Sequence, residues 1–183
     1  LPKGFSFRER FPARRALAFF LQTDYDSKSD IFRRMGAQLM DKFTLLKQYF
    51  GHDAFRPGQE AVIDAVLGGR DALAVMPTGG GKSLCYQIPA LMLPGLTLVV
   101  SPLISLMQDQ VLALQENGIG AACINSSLSH EELQDIYRGL RAGAYKLLYA
   151  APERLEAPGF SALLQSLPLS LVAVDEAHCI SQW

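Results

Sequence analysis

Short apolar runs recur along the chain and alternate with segments of helical periodicity. In each run, apolar residues occupy successive positions, which is typical of strands buried on both faces of a parallel sheet. The five runs cover residues 71–76, 96–101, 120–125, 146–150 and 169–174. Because strands and helices alternate, the pattern predicts an α/β domain with a doubly wound parallel sheet. Ligands of such sheets bind beyond the carboxyl ends of the strands.

The helices between these runs carry recognisable boundary signals. Ser101 is a candidate N-cap with Pro102 at the first helical position, and Gly118 can end that helix. Ser129 and Glu132 have the spacing of a capping box, which predicts the start of the next helix. These signals divide the region into separate strand–helix units.

Residues 1–39 differ from the remainder in charge and pattern. They hold eight Lys and Arg against four Asp and Glu, whereas residues 40–183 hold nine against fourteen. We therefore expect an N-terminal extension of poorly defined structure, either read-through upstream of a start at Met40 or tag-like sequence, and one domain over 40–183. The acidic domain lacks the basic composition that indicates nucleic-acid binding, so such a function must be argued from motifs.

The spacing of the cysteines and histidines argues against disulfide bonds and metal sites. Cys85, Cys123 and Cys179 are far apart and form no CxxC pair, which argues against a disulfide framework or zinc site. The three histidines also lack metal-ligand spacing. No apolar run approaches the roughly 18 residues of a membrane span. We interpret the cysteines as buried thiols of a protein in a reducing compartment.

Residues 76–83, MPTGGGKS, are a candidate phosphate-binding loop that departs from the usual pattern at its first position. Met76 stands where that pattern has glycine, but a residue at the end of a strand can pack beneath the loop. Three glycines allow close approach of backbone N–H groups to phosphate, and a lysine and a serine can reach phosphate and Mg²⁺. The alternative is a glycine-rich turn with a solvated lysine. The candidate ligands are Thr78, Gly79, Gly80, Gly81, Lys82 and Ser83.

Two carboxylates follow the last apolar run, in the sequence LVAVDEAH. At the carboxyl end of a strand, Asp175 could hold Mg²⁺ opposite Ser83, and Glu176 could orient and deprotonate a water molecule. A single carboxylate at this place could simply belong to an acidic turn after a buried strand. An adjacent pair of carboxylates, in a chain that also has a candidate phosphate-binding loop, favours a site of nucleotide hydrolysis. Lys82, Asp175 and Glu176 are therefore the candidate catalytic residues.

Several longer motifs resemble RecQ-type DNA helicases. The resemblance covers about residues 40–183 and is carried by FGHDAFRPGQE, MPTGGGKSLCYQIPA, SPLISLMQDQ, APERL and AVDEAHCISQW. It implies the first of two RecA-like motor domains of a 3′-to-5′ ATP-dependent DNA helicase of the DEAH-box type. The resemblance also implies ATP and Mg²⁺ as ligands, a location that is cytoplasmic and nucleoid-associated or otherwise intracellular, and a role in DNA repair or recombination.

The resemblance assigns further residues to ATP and DNA. It implies adenine contacts by His52, Arg56 and Gln59, although residues alone would place Gln59 on an exposed helix surface. It implies single-stranded DNA contacts near Ser101, Pro102, Pro152 and Arg154. The alternatives are that the helix after Ser101 serves mostly for core packing and that Arg154 is an ordinary surface charge. His178 would connect the nucleotide site to a DNA-sensing loop, of which Ser181, Gln182 and Trp183 are present.

Three interpretations of the chain remain open on sequence grounds. It could be the nucleotide-binding half of a helicase motor, which alone would not unwind DNA because the second domain supplies an arginine finger. It could be a truncated nucleotide- or DNA-binding module. It could also be a small-molecule kinase, which would need phosphate-clamping arginines after the loop that this sequence does not show.

Overall fold

A computed structural model describes residues 15–17, 40–77 and 79–176 of the chain. Its strands are β1 Arg15–Leu17, β2 Leu96–Val100, β3 Ala121–Ile124, β4 Leu147–Ala150 and β5 Leu169–Val174. Its α-helices are α1 Lys42–Phe50, α2 Gln59–Leu67, α3 Leu84–Met92, α4 Ile104–Glu116, α5 His130–Arg141 and α6 Pro158–Ser166. A 3₁₀ helix covers Pro152–Glu156.

All strand pairs of the sheet are parallel, in the order β1-β5-β2-β4-β3. Helices cover both faces: α2, α3 and α4 pack on one, α5 and α6 on the other. The predicted doubly wound α/β fold is therefore confirmed. Four of the five predicted strands are also present, as β2 to β5. The core lies in two layers because successive strand residues point to opposite faces, and both faces are buried.

The predicted strand over residues 71–76 is wrong. This segment leads into the phosphate loop without joining the sheet, and its Val75 side chain is 90% exposed. The place beside β5 is taken by β1, in which Arg15, Ala16 and Leu17 pair with Leu171, Val172 and Ala173. β1 and this segment share the sequence Ala-Leu, at 16–17 and 72–73, so the two compete on similar terms for the edge of the sheet.

Helix boundaries agree with the sequence signals in part. The capping box at Ser129 and Glu132 is confirmed, with both of its hydrogen bonds formed. Gly118 follows the end of α4 with φ of 76°, and its N–H donates to the Gln115 carbonyl. The predicted start of α4 is wrong, because Ser101 is buried and the helix begins at Ile104.

Other predictions concern residues that the structure does not describe. Apart from β1, the N-terminal extension and residues 177–183 lie outside the described residues, as do Thr78 and Cys179. Cys85 is buried as expected, but Cys123 is only half-buried. Within the part of the chain that the structure describes, no helix is long and apolar enough to cross a membrane.

Candidate nucleotide-binding site

The glycine-rich loop occupies the turn before α3, where an anion would meet the amino end of a helix. Gly79 and Gly81 have φ of 76° and 75°, which glycine adopts without the steric cost of a side chain. A Cβ on Gly81 would also lie 2.5 Å from Gln59 Nε2. Met76 is half-buried, and its Sδ lies 3.9 Å from the Sγ of Cys85 on α3.

Gln59 is hydrogen-bonded to the backbone of the loop. Its side chain is only 1% exposed, and Nε2 donates to the Gly81 carbonyl at 2.9 Å and the Gly80 carbonyl at 3.3 Å. Its Oε1 accepts the Arg56 backbone N–H at 2.8 Å, and the Arg56 guanidinium donates to the Gly79 carbonyl. The sequence alone placed Gln59 on an exposed surface, and no local signal showed this burial.

These contacts fix the direction of the loop's peptide groups. In a trans peptide the C=O and the following N–H point in opposite directions. Carbonyls drawn toward Gln59 therefore turn the N–H groups of Gly81 and Lys82 to the other side. Together with the lysine side chain, those N–H groups are suited to phosphate oxygens.

The carboxylate pair lies directly after β5. The Asp175 backbone N–H donates to the Val100 carbonyl at 2.8 Å, which keeps this residue in line with β2. Its carboxylate accepts the Glu176 N–H at 3.0 Å, and burial raises the pKa of the Asp175 carboxyl. Glu176 has φ of 51°, the only positive φ of a non-glycine residue among those described. Such backbone strain is concentrated at functional sites in proteins.

The loop and the carboxylate pair meet at one ion pair. Lys82 Nζ lies 3.5 Å from Glu176 Oε1, and each side chain is 21% exposed. The helix after the loop and the strand before the carboxylates therefore bring the predicted catalytic residues into one site. The three residues come together although almost a hundred positions separate the lysine from the carboxylates.

A cavity of about 320 Å³ extends from the loop toward α4. This volume is within the range of small-molecule sites. His52, Arg56 and Gln59, the residues that the resemblance assigned to adenine, are among its lining residues. The cavity is also lined by residues that the sequence reasoning missed, although their helical spacing places them on one side of α4 and its C-cap: Gln110, Ala113 and Asn117.

A family model for DEAD/DEAH box helicases matches residues 56–183. The chain belongs to the DEAD/DEAH box helicase family. It is 57% identical over 141 residues to the ATP-dependent DNA helicase RecQ of Bacillus subtilis, and 56% identical over 140 residues to that of Haemophilus influenzae. It is 50% identical over 140 residues to the ATP-dependent DNA helicase Q-like 5 of Arabidopsis thaliana. Each match covers 76% of this chain and, respectively, 24%, 23% and 15% of the relative. The chain thus spans about a quarter or less of the length of these relatives.

The oxygen atoms around Ser83 fit a hard divalent cation. The Asp175 carboxylate is 5% exposed, and an ionised carboxylate in such a place is costly unless a cation or hydrogen bonds compensate it. The Tyr86 hydroxyl is buried, and Ser83, Tyr149 and Asp175 are its polar neighbours. Carboxylate and hydroxyl oxygens are donors of the kind that Mg²⁺ prefers.

The candidate DNA residues lie after β2 and β4, which are neighbours in the sheet. Ser101 is 1% exposed, so a surface contact by its hydroxyl is ruled out in this structure. Pro102 and Pro152 are half-buried. Arg154 donates to the Asn125 carbonyl at 3.1 Å through Nε and 2.5 Å through Nη2. The two turns share an edge, but Arg154 also holds the chain after β3 in place. His178 and residues 181–183 lie outside the described residues.

Proposed function

We propose that residues 40–183 form the nucleotide-binding motor domain of a RecQ-type, ATP-dependent DNA helicase. The observation that carries the proposal is the contact between Lys82 of the glycine-rich loop and Glu176 of the carboxylate pair. A glycine-rich turn with a solvated lysine would not require this partner. Likeness to proteins named ATP-dependent DNA helicases gives the reaction and the substrate class.

The proposed chemistry divides between the two halves of the site. Loop N–H groups and Lys82 bind the β- and γ-phosphates, while Glu176 positions a water molecule and accepts its proton. Ser83 and Asp175 would hold Mg²⁺. When bound, this ion supplies positive charge against the phosphate oxygens. Thr78 is proposed as a further phosphate contact, on sequence grounds alone.

The adenine ring is proposed to enter the cavity beside His52. Imidazole offers less stacking area than a larger aromatic ring, so polar contacts would contribute more to base selectivity. Arg56 and Gln59 are proposed as those contacts. Both ends of the Gln59 amide are already bonded within the protein, so a contact with the base requires sharing or exchanging one of those hydrogen bonds.

DNA is proposed to bind along the edge formed by the turn at Pro102 and the 3₁₀ helix Pro152–Glu156. Movement in the 3′-to-5′ direction, action in repair or recombination and an intracellular location are parts of the same proposal. They rest on the resemblance to RecQ-type proteins.

ATP turnover by this chain, with and without single-stranded DNA, tests the proposal beside the Glu176→Gln variant. DNA-stimulated turnover that the variant lacks would mean that the chain is an active ATPase in which a second copy supplies the groups of the second motor domain. Nucleotide binding without turnover would support one half of a two-domain motor, because the arginine finger of such a motor comes from the second domain. An absence of ATP and ADP binding would overturn the assignment of the site.

A further inference from the structure

Gln87 is a buried polar residue on α3, the helix that follows the phosphate loop. It is 5% exposed, and its backbone N–H donates to the Ser83 carbonyl at 2.9 Å. A carboxamide in the protein interior destabilises the fold unless it is hydrogen-bonded. The partners of this side chain therefore show which elements it connects.

The side-chain nitrogen of Gln87 donates to two other elements of the fold. Its Nε2 lies 2.9 Å from Gln110 Oε1 on α4 and 3.3 Å from the Tyr149 hydroxyl on β4. A carboxamide nitrogen carries two N–H groups, so it can make both hydrogen bonds at once. Gln87 therefore joins the helix after the phosphate loop to both α4 and β4.

Both of these elements adjoin the edge that is proposed to bind DNA. α4 begins just after the turn at Pro102, and β4 ends just before the 3₁₀ helix Pro152–Glu156. The Ser101 N–H donates to the Ala150 carbonyl at 3.2 Å, which ties the two turns to each other. The hydrogen bonds of Gln87 thus run from the nucleotide side of the domain to both parts of this edge.

Packing alone does not account for a carboxamide at this place. The other buried residues of α3 are hydrophobic: Cys85, Tyr86, Ile88, Pro89 and Ala90. A hydrophobic residue of similar volume could fill the site, since apolar groups of the same shape can replace a hydrogen-bonded polar pair at little cost in stability. The elements that the Gln87 side chain connects explain its polarity better than the volume that it fills.

We propose that Gln87 is a positioning residue that links nucleotide binding to DNA binding through Gln110 and Tyr149. A nucleotide that draws the loop and the first turn of α3 toward its phosphates moves Gln87, and the two hydrogen bonds pass this movement to α4 and β4. Hydrogen bonds suit this role because they weaken steeply when their geometry is disturbed. Networks of hydrogen bonds between rigid elements carry coupling of this kind. The inference rests on the proposed function, since it takes the loop as the nucleotide site and the two turns as the DNA site.

The test compares Gln87→Leu with the unmodified chain by measuring the affinity for a fluorescent single-stranded oligonucleotide of thymidines. Each affinity is measured without nucleotide and with a saturating non-hydrolysable ATP analogue and Mg²⁺. We expect the analogue to change the DNA affinity by at least about fivefold in the unmodified chain and by less than about twofold in Gln87→Leu. Because the analogue is saturating for each protein, a change in its own affinity does not alter this ratio. A residue that served only for packing would change the melting temperature and leave the ratio as it was.

Two further variants each remove one of the two hydrogen bonds. Gln110→Ala and Tyr149→Phe should each reduce the ratio in part, and Gln110 is only half-buried, so its replacement tests the inference even if Gln87→Leu does not fold. In the Gln87→Leu background, Gln110→Ala should cause no further change, as expected for residues of one network. Gln115→Ala is the matched control on α4, because Gln115 Nε2 donates to the Ala121 carbonyl at the same distance of 2.9 Å. It should keep the ratio of the unmodified chain.

A full response to the analogue in Gln87→Leu or Gln110→Ala would overturn the inference, and so would an equal loss in Gln115→Ala, which would reflect general loosening of α4. An unmodified chain that binds both ligands independently, or that binds no DNA, would overturn it as well. The nucleotide site of the proposed function fails by a different result, which is that neither ADP nor the ATP analogue binds. Binding of both nucleotides with an unaltered ratio in Gln87→Leu would reject only the role of the glutamine.

Discussion

Lys82 Nζ and Glu176 Oε1 lie 3.5 Å apart, so the proposed phosphate-binding cation and the proposed general base neutralise each other without nucleotide. The lysine precedes α3 and the glutamate follows β5. Phosphate oxygens would compete for the lysine and release the glutamate to bind water. In the proposed function, the ion pair would therefore link the arrival of nucleotide to the availability of the base.

Lys82→Ala should reduce ADP affinity by about 10- to 100-fold. The loop would lose its charged phosphate donor, and hydrogen bonds to charged groups contribute about 1.5–3 kcal/mol. Calorimetric titration with ADP measures the effect. Lys47→Ala is the control, because Lys47 is exposed and pairs with Asp53. Equal affinity in the Lys82 variant and the unmodified chain would contradict the phosphate site.

Glu176→Gln should leave ADP affinity within about fivefold, since a partly exposed ion pair contributes only about 0–1 kcal/mol. Any ATP turnover should disappear, because an amide cannot accept the proton of water. Binding and phosphate release are measured on the same sample. A large loss of ADP affinity would mean that Glu176 shapes the site and is not its base.

Gln59→Ala should lower the free energy of unfolding by about 1–3 kcal/mol, because the Gly80 carbonyl loses its side-chain donor and the Arg56 N–H loses its acceptor. ADP affinity should fall as well, since the loop N–H groups lose their fixed direction. The exposed Gln108 on α4 supplies the control, Gln108→Ala, which should change neither property.

The same Gln59 variant separates loop support from base recognition. If Gln59 acts only on the loop, affinities for ADP and GDP should fall by the same factor. If it contacts adenine, the preference for ADP over GDP should also decline. Unchanged stability and unchanged affinity would show that the contacts to the loop carbonyls contribute little.

Deleting residues 1–39 should free the sheet edge beside β5 for residues 71–76. One apolar Ala-Leu-Ala segment would replace another, so the melting temperature should change by only a few degrees. Amide exchange should then show new protection at residues 72–76. Deleting residues 1–14 leaves β1 in place and should give no such protection. A fall of many degrees without new protection would mean that β1 is an irreplaceable part of the sheet.

Ser129→Ala should reduce stability by about 1 kcal/mol at neutral pH, because it removes the N-cap of α5. The Ser129 side chain holds the pKa of Glu132 below its usual value, and the variant should allow that pKa to rise. A lowered carboxyl pKa stabilises the fold above the unfolded value and loses this effect as pH falls through the folded value. The difference between variant and unmodified chain should therefore narrow in acid.

Unfolding at several pH values, with the Glu132 resonance followed by NMR, measures both effects. Ser105→Ala removes an exposed hydroxyl from the first turn of α4 and serves as the control. A stability difference that stays constant down to strongly acidic pH would show that the carboxylate of the capping box contributes nothing.

The sequence determined those features that depend on neighbouring residues. Continuous apolar runs predicted β2 to β5, and the spacing of Ser129 and Glu132 predicted the capping box. Consecutive glycines before Lys82 predicted a loop with left-handed backbone positions. These signals are reliable because backbone sterics and the periodicity of side chains act locally along the chain.

The tertiary structure decided the features that depend on competition or on distant partners. Strand propensity shows that residues 71–76 can pair with a neighbouring strand. It does not show that β1 occupies the edge beside β5, because the edge of a sheet can pair with any segment that fits. The burial of Gln59 depends on the loop carbonyls, more than twenty residues away. The burial of Ser101 and the cavity wall from α4 likewise follow from how the helices pack on the sheet. Such contacts leave no local pattern, because the residues that create them meet only after the chain has folded.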